Sequence, residues 1–223
     1  MTDPPREPPE ATAPHRFIAV EGSIGVGKTT LARRLAEAFG YALLLERAEE
    51  NPFLEGFYRE GRGALKTQLF FLFQRAEQLA ELRQGDIFAP GRVADFLIHK
   101  DPLFARVTLD DDEFRLYWRV WEQLAVDVPR PDLVIFLQAP TEVLLERIRR
   151  RGVPMEAAIS PAYLEALNEA YTRFFLDYDE APLLIVNAAE IDLARGEADF
   201  RQLVAYLSEI RSGRHYYNPI PNR

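Results

Sequence analysis

With 223 residues, 48% of them hydrophobic, the chain can bury one substantial core and has the length of a single α/β domain. Its formal net charge of -8 argues against a nucleic-acid partner, since proteins that bind phosphate-coated polymers usually carry a basic surface. The lack of cysteine excludes disulfides and thiolate metal sites, and three scattered histidines make a poor zinc site.

Residues 1–15 contain five prolines and little that could enter a core, so we predict a disordered leader before one domain at 16–223. No segment reaches the roughly 18 uninterrupted apolar residues of a membrane span, and the N-terminus lacks an apolar signal core. We therefore expect a cytoplasmic protein with no membrane partner.

From Arg16 onward, short apolar runs alternate with segments of helical period, which predicts a five-stranded parallel sheet with helices on both faces. The predicted strands are 17–20, 41–45, 92–94, 133–137 and 183–186. The predicted helices are 28–39, 64–83, 111–126, 141–150, 161–177 and 198–210. Ligands of such three-layer sheets bind at the carboxyl ends of the strands.

A glycine-rich loop follows the first predicted strand and matches the G-x-x-x-x-G-K-[ST] pattern of a P-loop. Its backbone N–H groups and the next helix would cradle phosphates, with Lys28 at the β/γ-phosphates and Thr29 on Mg²⁺. The predicted phosphate site comprises Gly22, Ser23, Ile24, Gly25, Val26, Gly27, Lys28, Thr29 and Thr30. The loop alone does not distinguish a kinase from a GTPase, an ATPase motor or a switch protein.

The second predicted helix carries polar groups inside an apolar segment. Gln68 and Arg75 are seven residues apart and share one face, with Phe71 and Leu72 between them. Buried polar groups need partners, and these could be either neighbouring protein groups or a bound ligand.

Beyond the P-loop, the order of motifs resembles the deoxynucleoside kinase family, particularly its bacterial deoxyadenosine and deoxyguanosine kinases. The resemblance extends from about Arg16 to the C-terminus and rests on five further segments. These are Leu44-Leu45-Glu46, the 67–75 helix, Val93-Ala94-Asp95, Lys100-Asp101-Pro102 and the 147–156 segment. It implies a P-loop fold with an arginine-rich lid, a homodimer, and ATP or another nucleoside triphosphate used with Mg²⁺.

By this resemblance Glu46 is the base that takes the proton of a nucleoside 5′-hydroxyl, and its place after a strand suits that role. The nearby Glu49 and Glu50 are alternatives. The residues that bond the sugar 3′-hydroxyl are matched by Tyr58 and Glu156. Phe57 is an alternative to Tyr58.

The resemblance also assigns Gln68 and Arg75 to the base edge, with Phe71 as a nearby aromatic. An amide can pair with adenine and a guanidinium with guanine. Asp101 matches the acid that pairs with the base-reading arginine, although an aspartate before Pro102 could equally cap a helix.

In the same comparison Asp95 matches an acid that borders the substrate and, with Thr29, holds Mg²⁺. Phe96 stands where relatives carry an arginine, and Lys100 could take that arginine's place in space.

Four arginines fall within 147–151 of this otherwise acidic chain. By resemblance Arg147 and Arg151 are phosphate-contacting lid residues, while Val153 stands where a further arginine is usual. We assign Arg149 and Arg150 to a solvated helix end. Asp192 lies in the segment expected to hold the donor adenine.

These features together predict transfer of the γ-phosphate to a deoxynucleoside, preferably deoxyadenosine or deoxyguanosine, in nucleotide salvage. One alternative is a thymidylate or other nucleoside monophosphate kinase. The other is a non-catalytic P-loop nucleotide-binding module, although a guanine-selective Asn-Lys-x-Asp motif is absent from the sequence.

Overall fold

The central feature of the fold is a six-stranded sheet in which every neighbouring pair is parallel, in the order β2-β3-β1-β4-β5-β6. The computed structural model describes residues 15–84, 91–124, 129–191 and 196–218, with the side chains of 81–84 excepted. The strands are β1 (Phe17–Gly22), β2 (Ala42–Leu44), β3 (Arg92–Ala94), β4 (Leu133–Gln138), β5 (Leu183–Asn187) and β6 (Arg214–Tyr217). The predicted α/β fold is therefore confirmed.

The predicted count of five strands was wrong, because β6 adds a sixth at the edge. It pairs with β5 in a register that places Arg214 opposite Leu183. Its sequence, Arg-His-Tyr-Tyr, has no apolar run, since an edge strand with alternating exposure does not need one. The Arg214 guanidinium donates to the carbonyl oxygens of Phe175 and Leu176, at 2.9 and 2.7 Å.

Eight α-helices are described. They are α1 (Lys28–Phe39), α2 (Leu54–Glu60), α3 (Ala64–Gln84), α4 (Asp101–Thr108), α5 (Asp111–Leu124), α6 (Thr141–Arg151), α7 (Pro161–Asp177) and α8 (Glu197–Leu207). Two of these, α2 and α4, are missing from the predicted elements because seven or eight residues give too few turns to establish a helical period.

The core lies in layers on the two faces of the sheet. Side chains of α1, α6 and α8 pack on one face against strand residues such as Ile18, Ile135 and Leu184. Side chains of α4 and α7 cover the opposite face, around Val134 and Phe136. A third cluster joins α3, α4 and α5 outside this second layer.

This arrangement brings the carboxyl ends of β1, β2 and β3 to one edge of the sheet, where α1, α3 and α4 begin or pass. Across the described ranges, no helix is both long and apolar enough to cross a membrane. Residues 1–14 of the predicted leader lie outside the described residues, whereas its last residue, His15, is buried.

Candidate active site

The P-loop has the backbone geometry of a phosphate cradle. Gly22 has φ 144° and Gly25 has φ 82°, a region that residues with a side chain rarely adopt. A Cβ on Gly22 would lie 2.4 Å from the Leu137 carbonyl oxygen, and one on Gly25 would lie 2.8 Å from the Ile148 side chain. Glycine is therefore required at both positions.

Lys28 curls back over this loop. Its Nζ donates to the carbonyl oxygens of Gly22 and Ser23, at 2.8 and 3.2 Å. Burial, together with the nearby positive charge of Lys100, lowers the pKa of Lys28 to about 8. The buried Ser23 Oγ has no hydrogen-bond partner in the described part of the chain. A cation and an unpaired hydroxyl beside a glycine-rich loop fit a triphosphate.

Thr29 and Asp95 meet at the mouth of the cradle. The Thr29 hydroxyl donates to Asp95 Oδ2 at 2.5 Å, and the backbone N–H of Glu46 donates to Asp95 Oδ1 at 2.7 Å. Burial raises the pKa of Asp95 above its ordinary value. A hydroxyl and a carboxylate in contact are hard oxygen ligands, so this pair fits Mg²⁺.

Glu46 follows β2 and lies between two cations. Its Oε1 contacts Arg75 Nη2, and its Oε2 accepts from Lys100 Nζ at 2.9 Å. Burial alone would raise the pKa of Glu46, but the charges of Arg75 and Lys100 outweigh burial and hold that pKa well below its usual range. Of the two alternative acids, Glu49 and Glu50 are both exposed, and Glu50 is bonded by the Gln74 amide at 3.1 Å. Of the three acids, Glu46 is the partly buried one that contacts Arg75 and Lys100.

The predicted base-reading residues lie together in the interior wall formed by α3, which we call the Gln68/Arg75 wall. Gln68 is buried, with 3% of its surface exposed. The guanidinium carbon of Arg75 lies 4.9 Å from the ring centroid of Phe71 and 5.9 Å from that of Phe96. Arginine stacked between aromatic rings is rigid and directional, as recognition of a planar base requires.

Asp101 is the partner of Arg75 and not the cap of α4, whose N-cap position is Lys100 and which has no side-chain capping hydrogen bond. Asp101 Oδ1 contacts Arg75 Nη1, and both side chains are almost fully buried. Asp101 Oδ2 and Arg75 Nε have no hydrogen-bond partner within the described residues. Unpaired buried polar atoms are costly, so their presence here indicates a site that a polar ligand completes.

The predicted sugar-binding residues also come together. The Tyr58 ring lies 6.5 Å from that of Tyr163, and burial followed by the neighbouring Tyr163 and Glu156 raises the pKa of Tyr58 well above its usual value. Glu156 Oε2 is bonded by Arg151 Nη2 at 2.5 Å. The rival Phe57 packs edge-on against Tyr163, with centroids 5.8 Å apart. Of the two candidates Tyr58 and Phe57, Tyr58 is the one with a hydroxyl, and the charge of Glu156 acts on it.

The two predicted lid arginines have different surroundings. Arg147 donates to the Val26 carbonyl oxygen in the P-loop at 3.2 Å and to the Ala188 carbonyl oxygen after β5 at 2.6 Å. Arg151 instead pairs with Glu156, and Arg149 and Arg150 are exposed, as expected of a solvated helix end. Asp192 lies outside the described residues.

The P-loop and the Gln68/Arg75 wall lie close together. Three consecutive contacts connect them, from Thr29 to Asp95, from Asp95 to Glu46 and from Glu46 to Arg75. A triphosphate tail in the loop and a planar base at the wall would therefore meet near Glu46.

Comparison with known proteins identifies the family. The family model described as deoxynucleoside kinase matches residues 18–211. The chain belongs to the deoxynucleoside kinase family. It is 34% identical to deoxyguanosine kinase of Bacillus subtilis (strain 168), over 89% of this chain and 98% of that protein. It is 30% identical to deoxyadenosine/deoxycytidine kinase of the same organism, over 87% of this chain and 92% of that protein.

Solved structures agree with this assignment to the deoxynucleoside kinase family. Deoxyadenosine kinase from M. mycoides with dCMP and dCDP bound superposes with a TM-score of 0.75 at 28% identity, covering 86% of this chain and 98% of that one. The same kinase with bound dATP gives a TM-score of 0.75 at 27% identity, covering 86% of this chain and 99% of that one.

One buried residue of this deoxynucleoside kinase domain was missed by sequence reasoning. Glu21, at the end of β1, is fully buried and accepts hydrogen bonds from Gly22 N, Leu97 N and the Tyr171 hydroxyl, at 2.9, 2.7 and 2.8 Å. Its Oε1 also lies 3.6 Å from Lys100 Nζ. The signal was a charged residue at the end of an apolar strand directly before the P-loop, where a buried charge must have partners.

Proposed function

We propose that this protein transfers the γ-phosphate of ATP, or of another nucleoside triphosphate, to the 5′-hydroxyl of a deoxynucleoside in nucleotide salvage. Deoxyadenosine and deoxyguanosine are the preferred acceptors. The observation that carries the proposal is the contact series from the P-loop through Glu46 to Arg75, which leaves one cleft for both substrates.

The protein contributes little covalent chemistry to this reaction. As the 5′-oxygen forms its bond to the γ-phosphorus, the bond from that phosphorus to the β–γ bridging oxygen breaks, and a nucleoside diphosphate leaves. Glu46 accepts the hydroxyl proton, and Lys28 offsets charge on the phosphate oxygens. Arg151 lies on the lid, where closure would bring it to the transferring group.

Thr29 and Asp95 would hold Mg²⁺ through their adjacent oxygens. The ion supplies charge neutralisation across the β- and γ-phosphates when it is bound. Asp95 also accepts a hydrogen bond from the Glu46 backbone N–H. This bond fixes the proposed metal ligand and the proposed base relative to each other.

The polar groups of the wall, including the unpaired Asp101 Oδ2 and Arg75 Nε, support a purine acceptor. The Gln68 amide can pair with an adenine edge, and the Arg75 fork can pair with the O6 and N7 acceptors of guanine. The names of both relatives include a purine deoxynucleoside, and one of the two names also includes deoxycytidine.

A nucleoside monophosphate kinase is the alternative that shares the fold. Its acceptor carries a phosphate, which needs free cations, whereas Glu46 and Glu156 put carboxylates in this pocket. Arg75 and Lys100 are each already paired with carboxylates. An assay that offers either a deoxynucleoside or its 5′-monophosphate as the phosphate acceptor distinguishes the two kinds of kinase. The proposal requires that only the deoxynucleoside gives a phosphorylated product.

We propose further that the protein is a homodimer built on the face formed by α4, α5 and α7. An apolar groove of about 1410 Å³ runs there, lined by Leu103, Trp118 and Phe174 among others, with Leu116 half exposed at its rim. Sedimentation should show a dimer that Trp118→Glu converts to a monomer. Leu176→Glu, an exposed leucine outside the groove, serves as the control and should leave the dimer intact.

The test of the proposed activity is a panel of the four deoxynucleosides with ATP and Mg²⁺, with monophosphate formation followed by chromatography. The purine deoxynucleosides should give the highest kcat/KM, and Lys28→Met should abolish turnover of all four. Failure of every deoxynucleoside to yield a monophosphate would reject the proposal.

A further inference from the structure

Lys100 is a buried cation for which the chemistry above has no role. It ends the short helical turn Ile98–Lys100 before α4, and its side chain is only 3% exposed. Its Nζ lies 2.9 Å from Glu46 Oε2 and 3.6 Å from Glu21 Oε1. An ammonium group is costly to remove from water unless it is paired, so two carboxylate partners explain how this one is tolerated.

Glu21 is the second carboxylate partner of Lys100 and is itself held in place. Its carboxylate is fully buried and accepts three hydrogen bonds, two from backbone N–H groups and one from the Tyr171 hydroxyl. Because those donors belong to β1, to the segment after β3 and to α7, Glu21 cannot shift without disturbing the core. The ammonium of Lys100 is therefore held at a defined point beside Glu46.

Arg75 makes a different kind of contact with Glu46. Its guanidinium is shared between Glu46 and Asp101 and belongs to the wall that faces the base. A base edge that pairs with Arg75 competes for the same N–H groups that now contact Glu46. Lys100 is tied to Glu21 instead, so its contact with Glu46 persists when Arg75 turns to the base.

We propose that Lys100 is the positioning residue of the base: it holds Glu46 Oε2, leaving Oε1 to receive the 5′-hydroxyl proton once Arg75 engages the nucleoside. This inference rests on the proposed function. It adds a residue that touches neither substrate and acts through Glu46, with Glu21 as the anchor behind it.

The test compares Lys100→Met, Lys100→Arg and Lys66→Met. Lys100→Met removes the charge but keeps the length, and should lower kcat about 100-fold with the KM for the deoxynucleoside changed less than about three-fold, since only the orientation of Glu46 is lost. Lys100→Arg retains a cation and should recover about ten-fold of that loss. Lys66 is exposed, with its ammonium 5.8 Å from the centroid of the Phe53 ring, so Lys66→Met should match the unaltered protein.

A second variant separates catalysis from folding, because Lys100→Met leaves the Glu21 carboxylate without its cation. Lys100→Met combined with Glu21→Gln removes both charges, but glutamine has one acceptor oxygen where Glu21 accepts through two, so this variant should melt below the unaltered protein, and its folded fraction should remain about 100-fold slow. The inference is overturned if a folded Lys100→Met variant keeps its kcat, if Lys100→Arg is as slow as Lys100→Met, or if the double variant regains full activity. An unaltered protein that phosphorylates no deoxynucleoside would instead reject the proposed function.

Discussion

Arg75 on α3 contacts Glu46 after β2, so the proposed base-reading guanidinium and the proposed general base form an ion pair. The same guanidinium contacts Asp101 through its other terminal nitrogen. A nucleoside that binds at the wall must therefore be recognised by a group whose position also affects Glu46. In the proposed mechanism, base recognition and catalysis are therefore coupled through one side chain, that of Arg75.

Arg75→Met should raise the deoxynucleoside KM by about 10- to 100-fold, because a bidentate contact to a base edge contributes about 1–3 kcal/mol. The KM for ATP should stay the same, since Arg75 lies away from the P-loop. Steady-state kinetics with each substrate varied in turn measures both values. Arg59→Met, on exposed α2, is the matched control, and an equal rise in both KM values would argue against a wall that reads the base.

Glu46→Gln should lower kcat by about 100- to 10,000-fold, the usual contribution of a positioned general base. The amide keeps the size of the side chain, and Arg75 and Lys100 retain Asp101 and Glu21 as partners, so the protein should stay folded. Glu49→Gln is the control, because Glu49 is exposed. If Glu49→Gln were inactive while Glu46→Gln remained active, the base would have been misassigned.

The position of the active-site motifs could be predicted because each is a short contiguous segment beside a strand or helix. The P-loop lies directly between β1 and α1, and Gln68 and Arg75 share a face because α3 runs without a break between them. The pairing of Arg75 with Asp101 was also proposed from sequence, and the structure brings the two into contact.

The partners of Glu46 and the edge of the sheet were harder to infer. Sequence reasoning considered Lys100 only as a stand-in for an arginine, and Glu21 not at all, because their contact joins residues 79 positions apart. Strand β6 lacks an apolar run, and its pairing with β5 is visible only once the sheet is assembled. Such contacts depend on strand order, which local periodicity does not encode.

Asp95→Asn should raise the Mg²⁺ concentration needed for half-maximal rate by about 10- to 100-fold, as the loss of a carboxylate near a metal commonly does. The amide can still accept the Glu46 backbone N–H at Oδ1, which limits the structural damage. A Mg²⁺ titration of the initial rate gives the value. Asp179→Asn, at an exposed position, should follow the unaltered curve, and a coincident Asp95→Asn curve would remove Asp95 from the metal site.

Gly22→Ala should destabilise the domain by about 1–3 kcal/mol and lower its melting temperature by several degrees, since alanine is strained at φ 144°. Its Cβ would also lie 2.4 Å from the Leu137 carbonyl oxygen, which distorts the cradle and weakens ATP binding. Thermal melting and ATP titration measure the two effects. Gly56→Ala is the control because nothing lies within 4 Å of a Cβ there, and equal melting temperatures for both variants would refute the strain argument.

The central claim, that the P-loop and the Gln68/Arg75 wall share one cleft, is tested most directly with a bisubstrate ligand. Adenosine and deoxyguanosine joined through their 5′-oxygens by a chain of phosphates should bind at least about 100-fold more tightly than deoxyguanosine in isothermal titration, because one ligand engages both surfaces. Lys28→Met and Arg75→Met should each remove that gain. The account would be contradicted if the joined ligand bound no more tightly than the better-binding of its two nucleoside parts. It would also be contradicted if the gain in affinity persisted in Lys28→Met or in Arg75→Met.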